Sequence, residues 1–227
     1  MTTSIQSQGA SPSKAVLHYL VRQPKIKADK TPLIVLLHGI GSNEHDLFSF
    51  ASQLPDHFLV ISARAPFTMG NDSYAWFQVD VSTGKRIINA EQAEKSRNLI
   101  IQFIGELKQQ YSIDEKQVYL CGFSQGAIMS FSVGLTRPDL VKGIAIMSGR
   151  LLDEVKPLIA SNDQLQHLKV FISHGNEDPV LNVQYAVESS AFMKSLNIKP
   201  TFKTYTAGHG INNAMLLDLL NWLKEAQ

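Results

Sequence analysis

The chain has 227 residues, of which 44% are hydrophobic, and its 21 Lys and Arg side chains nearly balance its 20 Asp and Glu side chains. This composition predicts one globular domain over residues 15–227. The balanced and scattered charges argue against a nucleic acid or an anionic membrane surface as partner, so we expect a small-molecule partner.

The N-terminal segment "MTTSIQSQGASPSK" is polar and lacks the basic and apolar regions of a secretory signal, so residues 1–14 are expected to form a flexible tail. No stretch reaches 18 consecutive apolar residues, which argues against membrane insertion. The single cysteine, Cys121, cannot form an internal disulfide. A reducing, cytoplasmic compartment is compatible with this cysteine content.

Apolar runs that alternate with helical patterns predict an α/β fold. The predicted strands are residues 15–21, 32–39, 58–63, 117–123, 142–149, 169–175 and 201–206. Apolar residues recurring every three to four positions predict helices over residues 46–54, 90–110, 125–135, 182–197 and 212–226. The run 32–39 is continuously apolar, as in a strand buried on both faces, whereas 15–21 alternates in part, as in an edge strand. Together these elements predict a mostly parallel central sheet flanked by helices.

Residues 64–89 show no clear periodicity, and they contain Pro66, Gly70, Gly84 and several aromatic residues. We predict a long loop beside the functional site, because structureless stretches of this length are usually functional. Phe67 and Trp76 are candidates to line an acyl-binding groove. The alternative is that the aromatic residues of this segment form a small core of their own.

A G-x-S-x-G motif places Ser124 between Gly122 and Gly126, after a predicted strand and before a predicted helix. This context is typical of a nucleophile elbow, in which the serine hydroxyl projects above the sheet. The N–H of Gln125, at the start of the helix, could then stabilise an oxyanion. Because the same pattern also occurs in ordinary strand-to-helix turns, the partners of the serine must decide between the two interpretations.

A serine nucleophile needs a histidine base and an orienting carboxylate. His209 follows the last predicted strand, where ligands of open α/β folds bind, and Asp178 follows the strand before it. The order Ser124, Asp178, His209 is that of α/β-hydrolases. Asp153 and Glu177 are rival acids, but Pro179 favours Asp178 because it fixes a rigid turn.

His38 and His174 end predicted strands and are expected to bind backbone groups in the core. No set of histidines has the spacing of metal ligands, and no phosphate-binding motif is present, so neither a metal nor a cofactor is expected. The segment "HGIGSNEHDL" follows a strand, and the N–H of Ile40 is a candidate second oxyanion donor.

The motifs "VLLHGIGSNEHDL", "ARAP", "AWFQVD", "GFSQGAIMS", "SHGNEDPV" and "GHGI" occur in this order. In this respect residues 33–225 resemble the phospholipase/carboxylesterase family of small α/β-hydrolases, which includes acyl-protein thioesterases. The resemblance implies an α/β-hydrolase fold with Ser124 as nucleophile, Asp178 as acid, His209 as base, and the N–H groups of Ile40 and Gln125 as oxyanion hole. The histidine of the family is usually followed by a larger residue than Gly210.

The expected function is a serine carboxylesterase that cleaves short- or medium-chain esters through an acyl-enzyme. The short segment between residues 150 and 169 leaves no room for a large lid. Thioesterase and lysophospholipase activities are close variants. A serine peptidase or acyltransferase and a non-catalytic binding protein are the alternatives from other classes.

Overall fold

A seven-stranded, mostly parallel sheet forms the centre of the computed structural model, which describes residues 15–82, 84 and 86–226. The predicted tail, residues 1–14, lies outside the described residues. In chain order the strands are β1 (Tyr19–Arg22), β2 (Thr31–Leu37), β3 (Leu59–Ala63), β4 (Phe67–Gly70), β5 (Ser73–Ala75), β6 (Val79–Asp80), β7 (Ile87–Ile88), β8 (Ile113–Phe123), β9 (Gly143–Met147), β10 (Lys169–Gly175) and β11 (Thr201–Tyr205).

The large sheet has the strand order β1-β3-β2-β8-β9-β10-β11. Only β1 runs antiparallel to its neighbour, β3, and it lies at the edge, as its alternating sequence predicts. All seven strands predicted from apolar runs are present in this sheet, with ends shifted by a few residues. The prediction of a mostly parallel sheet is therefore confirmed.

Helices cover both faces of this sheet. They are α1 (His45–Phe48), α2 (Ala90–Gln110), α3 (Gln125–Thr136), α4 (Asn162–Leu165), α5 (Gln184–Ser195) and α6 (Asn213–Glu225), with 3₁₀ helices at Pro138–Leu140 and Asp153–Leu158. None of the described helices is long and apolar enough to cross a membrane.

Two hydrophobic clusters lie on opposite faces of the sheet, and the alternation of β2 shows which helices share each face. Leu33, Val35 and Leu37 pack in one cluster with residues of α2, α3 and α5. Ile34 and Leu36 pack in the other cluster with residues of α1 and α6. The result is the three-layer arrangement that the sequence predicts, with both faces of the parallel strands buried.

Two predictions about local structure need correction. Residues 46–54 were expected to be one helix, but α1 ends at Phe48 and the chain continues in turns with i→i−3 bonds, such as Ala51 N–H to Phe48 C=O at 2.9 Å. Residues 64–89 were expected to lack regular structure, yet β4 pairs with β5 and β6 pairs with β7 in two antiparallel hairpins. The first hairpin turns at Asn71 and Asp72, and Asp72 has φ 52°, a conformation that Asp tolerates better than most residues.

Candidate active site

Ser124 lies in a strained turn between β8 and α3. Its φ of 52° and ψ of −114° are unfavourable for a residue with a side chain, and such strain persists only where the surroundings impose it. Here the backbone of Ser124 is held on both sides. Its N–H donates to the carbonyl of Met147 at 2.9 Å, and its carbonyl accepts from the N–H of Ile128 at 3.1 Å.

Both glycines of the motif are required by close packing of the backbone. A Cβ on Gly122 would overlap the backbone of Gly126, and a Cβ on Gly126 would overlap the carbonyl of Leu37 at the end of β2. The turn therefore brings α3 against β2 and β8 more closely than any side chain at these two positions would permit.

The structure brings Ser124, His209 and Asp178 together in one chain of hydrogen bonds. The Oγ of Ser124 lies 2.9 Å from Nε2 of His209, and Nδ1 of His209 lies 2.7 Å from Oδ2 of Asp178. The loops that carry Asp178 and His209 are also joined directly, since the N–H of Glu177 donates to the carbonyl of Ala207 at 3.0 Å. A proton can pass along such a chain from hydroxyl to imidazole.

The carboxylate of Asp178 is buried and fully engaged. Its Oδ1 accepts the N–H groups of Val180 and Leu181, each at 2.8 Å, while Oδ2 faces His209 and also lies 3.2 Å from Nε2 of the buried His174. Burial alone would raise the pKa of Asp178, but the hydrogen bonds from His209, Leu181 and Val180 outweigh it and hold the pKa below its usual value. Asp178 is therefore ionised at neutral pH and can orient the imidazole.

The rival acids lie elsewhere. Asp153 is exposed in a 3₁₀ helix and pairs with Lys156 at 2.6 Å. Glu177 is exposed although it is adjacent in sequence to Asp178. Neither carboxylate contacts His209, so the geometry favours the acid that the sequence favoured.

The two candidate oxyanion donors belong to peptides that adjoin Ser124. Gln125 is the first residue of α3, where a helix leaves its N–H groups without intrahelical partners. A Cβ built on Gly39 would be 3.4 Å from the Cβ of Ser124, so the peptide that links Gly39 to Ile40 adjoins the serine. Neither the Ile40 N–H nor the Gln125 N–H donates to another of the described residues.

Residues 19–227 match the sequence profile of the phospholipase/carboxylesterase family. The chain belongs to this family. It is accordingly an enzyme of the carboxylic ester hydrolase type, with the α/β-hydrolase fold that the sheet order and helix layers display.

Individual relatives in and around the phospholipase/carboxylesterase family agree with this assignment. The chain is 28% identical to acyl-protein thioesterase 1 of Mycosarcoma maydis, over 84% of this chain and 89% of the relative. It is 28% identical to the esterase YpfH of Escherichia coli strain K12, over 91% and 87% of the two chains. The carboxylesterase of Bacillus cereus has the same fold, with a TM-score of 0.82 and 22% identity over 95% and 97% of the two chains.

In this member of the family, the side chain of Gln125 fastens the segment 64–89 to the site, a role that sequence reasoning missed. Its Oε1 accepts the N–H of Trp76 at 2.7 Å, and its Nε2 donates to the carbonyl of Phe77 at 2.6 Å. Gln125 is 3% exposed, so these bonds form away from water. The contact joins residues 48 and 49 positions apart, and no local pattern signals it.

The predicted role of Trp76 as a substrate contact requires correction. Its side chain is 0% exposed, and its indole Nε1–H donates to the carbonyl of His38 at 3.0 Å. Trp76 therefore lies beneath the loop that carries Ile40 and has no surface to offer a substrate. Phe67 is half-buried on β4, with the ammonium of Lys95 5.7 Å from its ring centre, and its contact with substrate stays a prediction.

The β4–β5 hairpin also anchors the loop that carries Ile40. The N–H of Gly41 donates to the carbonyl of Tyr74 at 2.8 Å, and the N–H of Tyr74 donates to the carbonyl of Ser42 at 2.9 Å. Below this contact the buried carboxylate of Glu44 is bound by the guanidinium of Arg64, which lies over the Tyr74 ring at 4.5 Å. Burial would raise the pKa of Glu44, but the hydrogen bonds from Arg64 outweigh this effect and lower the pKa.

Proposed function

We propose that the protein hydrolyses short- or medium-chain carboxylic esters, with Ser124 as nucleophile, His209 as general base and acid, and Asp178 as the residue that orients the imidazole. The observation that supports this most directly is the hydrogen-bond chain from the Ser124 hydroxyl through His209 to Asp178, at 2.9 and 2.7 Å. A serine hydroxyl with an adjacent, oriented imidazole is the arrangement that activates it for acyl transfer.

The reaction proceeds in two steps. His209 takes the proton of Ser124 as Oγ attacks the ester carbonyl, and the resulting oxyanion accepts the N–H groups of Ile40 and Gln125. His209 then gives this proton to the leaving alcohol as the carbonyl re-forms, which leaves Ser124 acylated. Water, deprotonated by His209, attacks the acyl-enzyme, and the returning proton restores the Ser124 hydroxyl. Each oxyanion donor contributes roughly 3 kcal/mol to lowering the barrier.

The segment between β9 and β10 favours short or medium acyl chains. This segment holds only a 3₁₀ helix and the one-turn helix α4, and Leu152, Val155 and Leu165 bury their side chains in the main core. These residues pack against the rest of the domain. The segment is therefore too short to form a large helical lid over a long acyl group as well.

A thioesterase activity is the second candidate. It is supported by the 28% identity to acyl-protein thioesterase 1 over 84% of this chain. The same residues would serve, because a thioester presents the same carbonyl to Ser124 and a thiolate accepts the proton of His209. The two activities differ in the leaving group, which lies on the opposite side of the scissile carbonyl from the acyl chain.

The test is intact-mass detection of covalent labelling by a fluorophosphonate, together with hydrolysis of acetyl, butyryl, octanoyl and palmitoyl p-nitrophenyl esters. Ser124→Ala and His209→Ala are expected to abolish labelling and to lower turnover by about six powers of ten. The matched controls are Ser132→Ala and His167→Ala. In the native protein, Oγ of Ser132 donates to the Ile128 carbonyl, and Nε2 of His167 lies 2.9 Å from the Pro138 carbonyl. Both controls should label normally.

Hydrolysis of an octanoyl oxyester and of an octanoyl thioester, which share the same acyl chain, distinguishes the carboxylesterase from the thioesterase. A higher kcat/KM for the oxyester, and for octanoyl over palmitoyl, supports the carboxylesterase proposal. A folded native protein that neither labels nor hydrolyses any of these substrates would refute both.

A further inference from the structure

His38 makes two hydrogen bonds that together determine which ring nitrogen carries the proton. The residue follows β2 and is 0% exposed. Its Nε2 lies 3.0 Å from the backbone nitrogen of Ala65, and its Nδ1 lies 2.7 Å from the carbonyl oxygen of Gly39. A backbone N–H can only donate, so Nε2 is the acceptor, and the proton resides on Nδ1, which donates to Gly39.

The state of the ring agrees with its surroundings. Burial lowers the pKa of His38, which keeps the imidazole neutral near neutral pH. A neutral imidazole has one donor and one acceptor, and both are used here by backbone groups. His38 thus binds backbone groups in the core, as its sequence position predicts, but one of those groups belongs to the peptide beside Ser124.

The bond to Gly39 fixes the direction of the Ile40 N–H. In a trans peptide the carbonyl of one residue and the N–H of the next point in opposite directions. The Gly39 carbonyl accepts from the buried His38 ring at 2.7 Å and, over a longer distance of 3.3 Å, from the N–H of Ser42. Because the carbonyl is directed at the His38 ring, the Ile40 N–H is directed away from it. The following peptide is held as well, through the bond from the Gly41 N–H to the Tyr74 carbonyl at 2.8 Å. The two peptides that flank Ile40 are therefore each fixed by a hydrogen bond.

We propose that His38 is a positioning residue of the reaction, which holds the Gly39 peptide so that the Ile40 N–H meets the oxyanion formed after attack by Ser124. This inference rests on the proposed function, since it takes Ser124 as nucleophile and Ile40 as donor. His38 itself does not touch the substrate. Because the charge on the carbonyl oxygen develops only in the transition state, loss of this orientation lowers kcat far more than it changes KM.

Two substitutions separate the two bonds of His38. His38→Asn places an amide near the position of Nδ1, where it donates to Gly39 but cannot reach Ala65. His38→Gln places an amide near the position of Nε2, where it accepts from Ala65 but leaves the Gly39 carbonyl with only the longer bond from the Ser42 N–H at 3.3 Å. Both remove the imidazole ring and its packing on Trp76, whose ring centroid lies 5.8 Å from that of His38, and the two replacements differ from each other by one methylene.

We expect His38→Gln to lower kcat by about 10²- to 10³-fold at a nearly unchanged KM, and His38→Asn to stay within about tenfold of the native protein. Turnover is expressed per fluorophosphonate-labelled site, and urea unfolding checks that the two variants are equally folded. A trifluoromethyl ketone, which binds as an oxyanion, should lose affinity for His38→Gln in proportion to kcat/KM. Equal losses in both variants, or a loss confined to KM, would overturn the proposal.

NMR on the native protein provides a test that does not depend on the variants folding. Long-range ¹H–¹⁵N spectra should show the His38 proton on Nδ1, and the Ile40 amide proton should move downfield when the trifluoromethyl ketone binds. A proton on Nε2, or an unmoved Ile40 amide, contradicts the inference. If the native protein labels and Ser124→Ala does not, while His38→Gln keeps full kcat, only the role of His38 fails; if the native protein does not label, the proposed function itself fails.

Discussion

Replacing Gln125 by Met removes the side-chain bonds to the segment 64–89 while leaving the backbone N–H of this residue in place. Methionine has a similar volume, so the change in packing is small. The substitution leaves the Trp76 N–H and the Phe77 carbonyl without partners in a region closed to water. Each unsatisfied buried group costs about 1–3 kcal/mol, so the free energy of unfolding should fall by about 2–6 kcal/mol.

Gln92→Met is the matched control for this prediction. Gln92 also accepts a backbone N–H of the same segment, that of Gln78 at 2.7 Å, but at a partly exposed position where water can replace the side chain. Its loss should cost less than about 1 kcal/mol. Urea unfolding monitored by tryptophan fluorescence measures both values. If Gln125→Met and Gln92→Met lower the free energy of unfolding equally, the burial of the Gln125 hydrogen bonds does not add to stability as the structure indicates.

Three further predictions concern stability and reactivity. Folding lowers the pKa of Asp178, so its ionised carboxylate stabilises the protein above the pKa of the unfolded chain, and this stabilisation is lost as the pH falls through the pKa of the folded protein. Urea unfolding at several acidic pH values should therefore show the difference in free energy of unfolding between the native protein and Asp178→Asn shrinking as the pH falls. Gly126→Ala should lower soluble yield and melting temperature because the new Cβ overlaps the Leu37 carbonyl, whereas Gly105→Ala, with open space in α2, should be neutral or stabilising by up to about 1 kcal/mol. Burial raises the pKa of Cys121 to about 12, so a thiol-reactive disulfide reagent should modify it only after unfolding, and rapid modification of the native protein would contradict its buried position.

The sheet was predictable because each of its strands corresponds to a local run of apolar residues in the sequence. The continuous run of β2 and the partial alternation of β1 distinguish a central strand from an edge strand without any knowledge of neighbours. The positions of Ser124, Asp178 and His209 were predictable for a related reason. Each directly follows a strand or lies just beyond one, and the carboxyl ends of parallel strands meet at one edge of the sheet.

The supporting contacts of the site were not predictable from local pattern. Gln125 forms hydrogen bonds to the backbone of Trp76 and Phe77, and the indole of Trp76 donates to the carbonyl of His38. These bonds join residues that are 38 to 49 positions apart. An aromatic residue in an irregular segment suggests a binding surface as readily as a small core, and here Trp76 is in the core. The helix over 46–54 was overestimated because turns with i→i−3 bonds keep nearly the same apolar spacing as an α-helix.

Ile40 combines a fixed backbone with a free side chain. Its flanking peptides are tied to His38 and Tyr74, yet its side chain is 40% exposed at the rim of the site. Under the proposed mechanism, a different side chain at Ile40 changes the surface that an incoming substrate meets and leaves the direction of the amide unchanged. Substitutions at this position, in natural divergence or in a designed library, should therefore alter substrate selectivity while the backbone N–H keeps its direction.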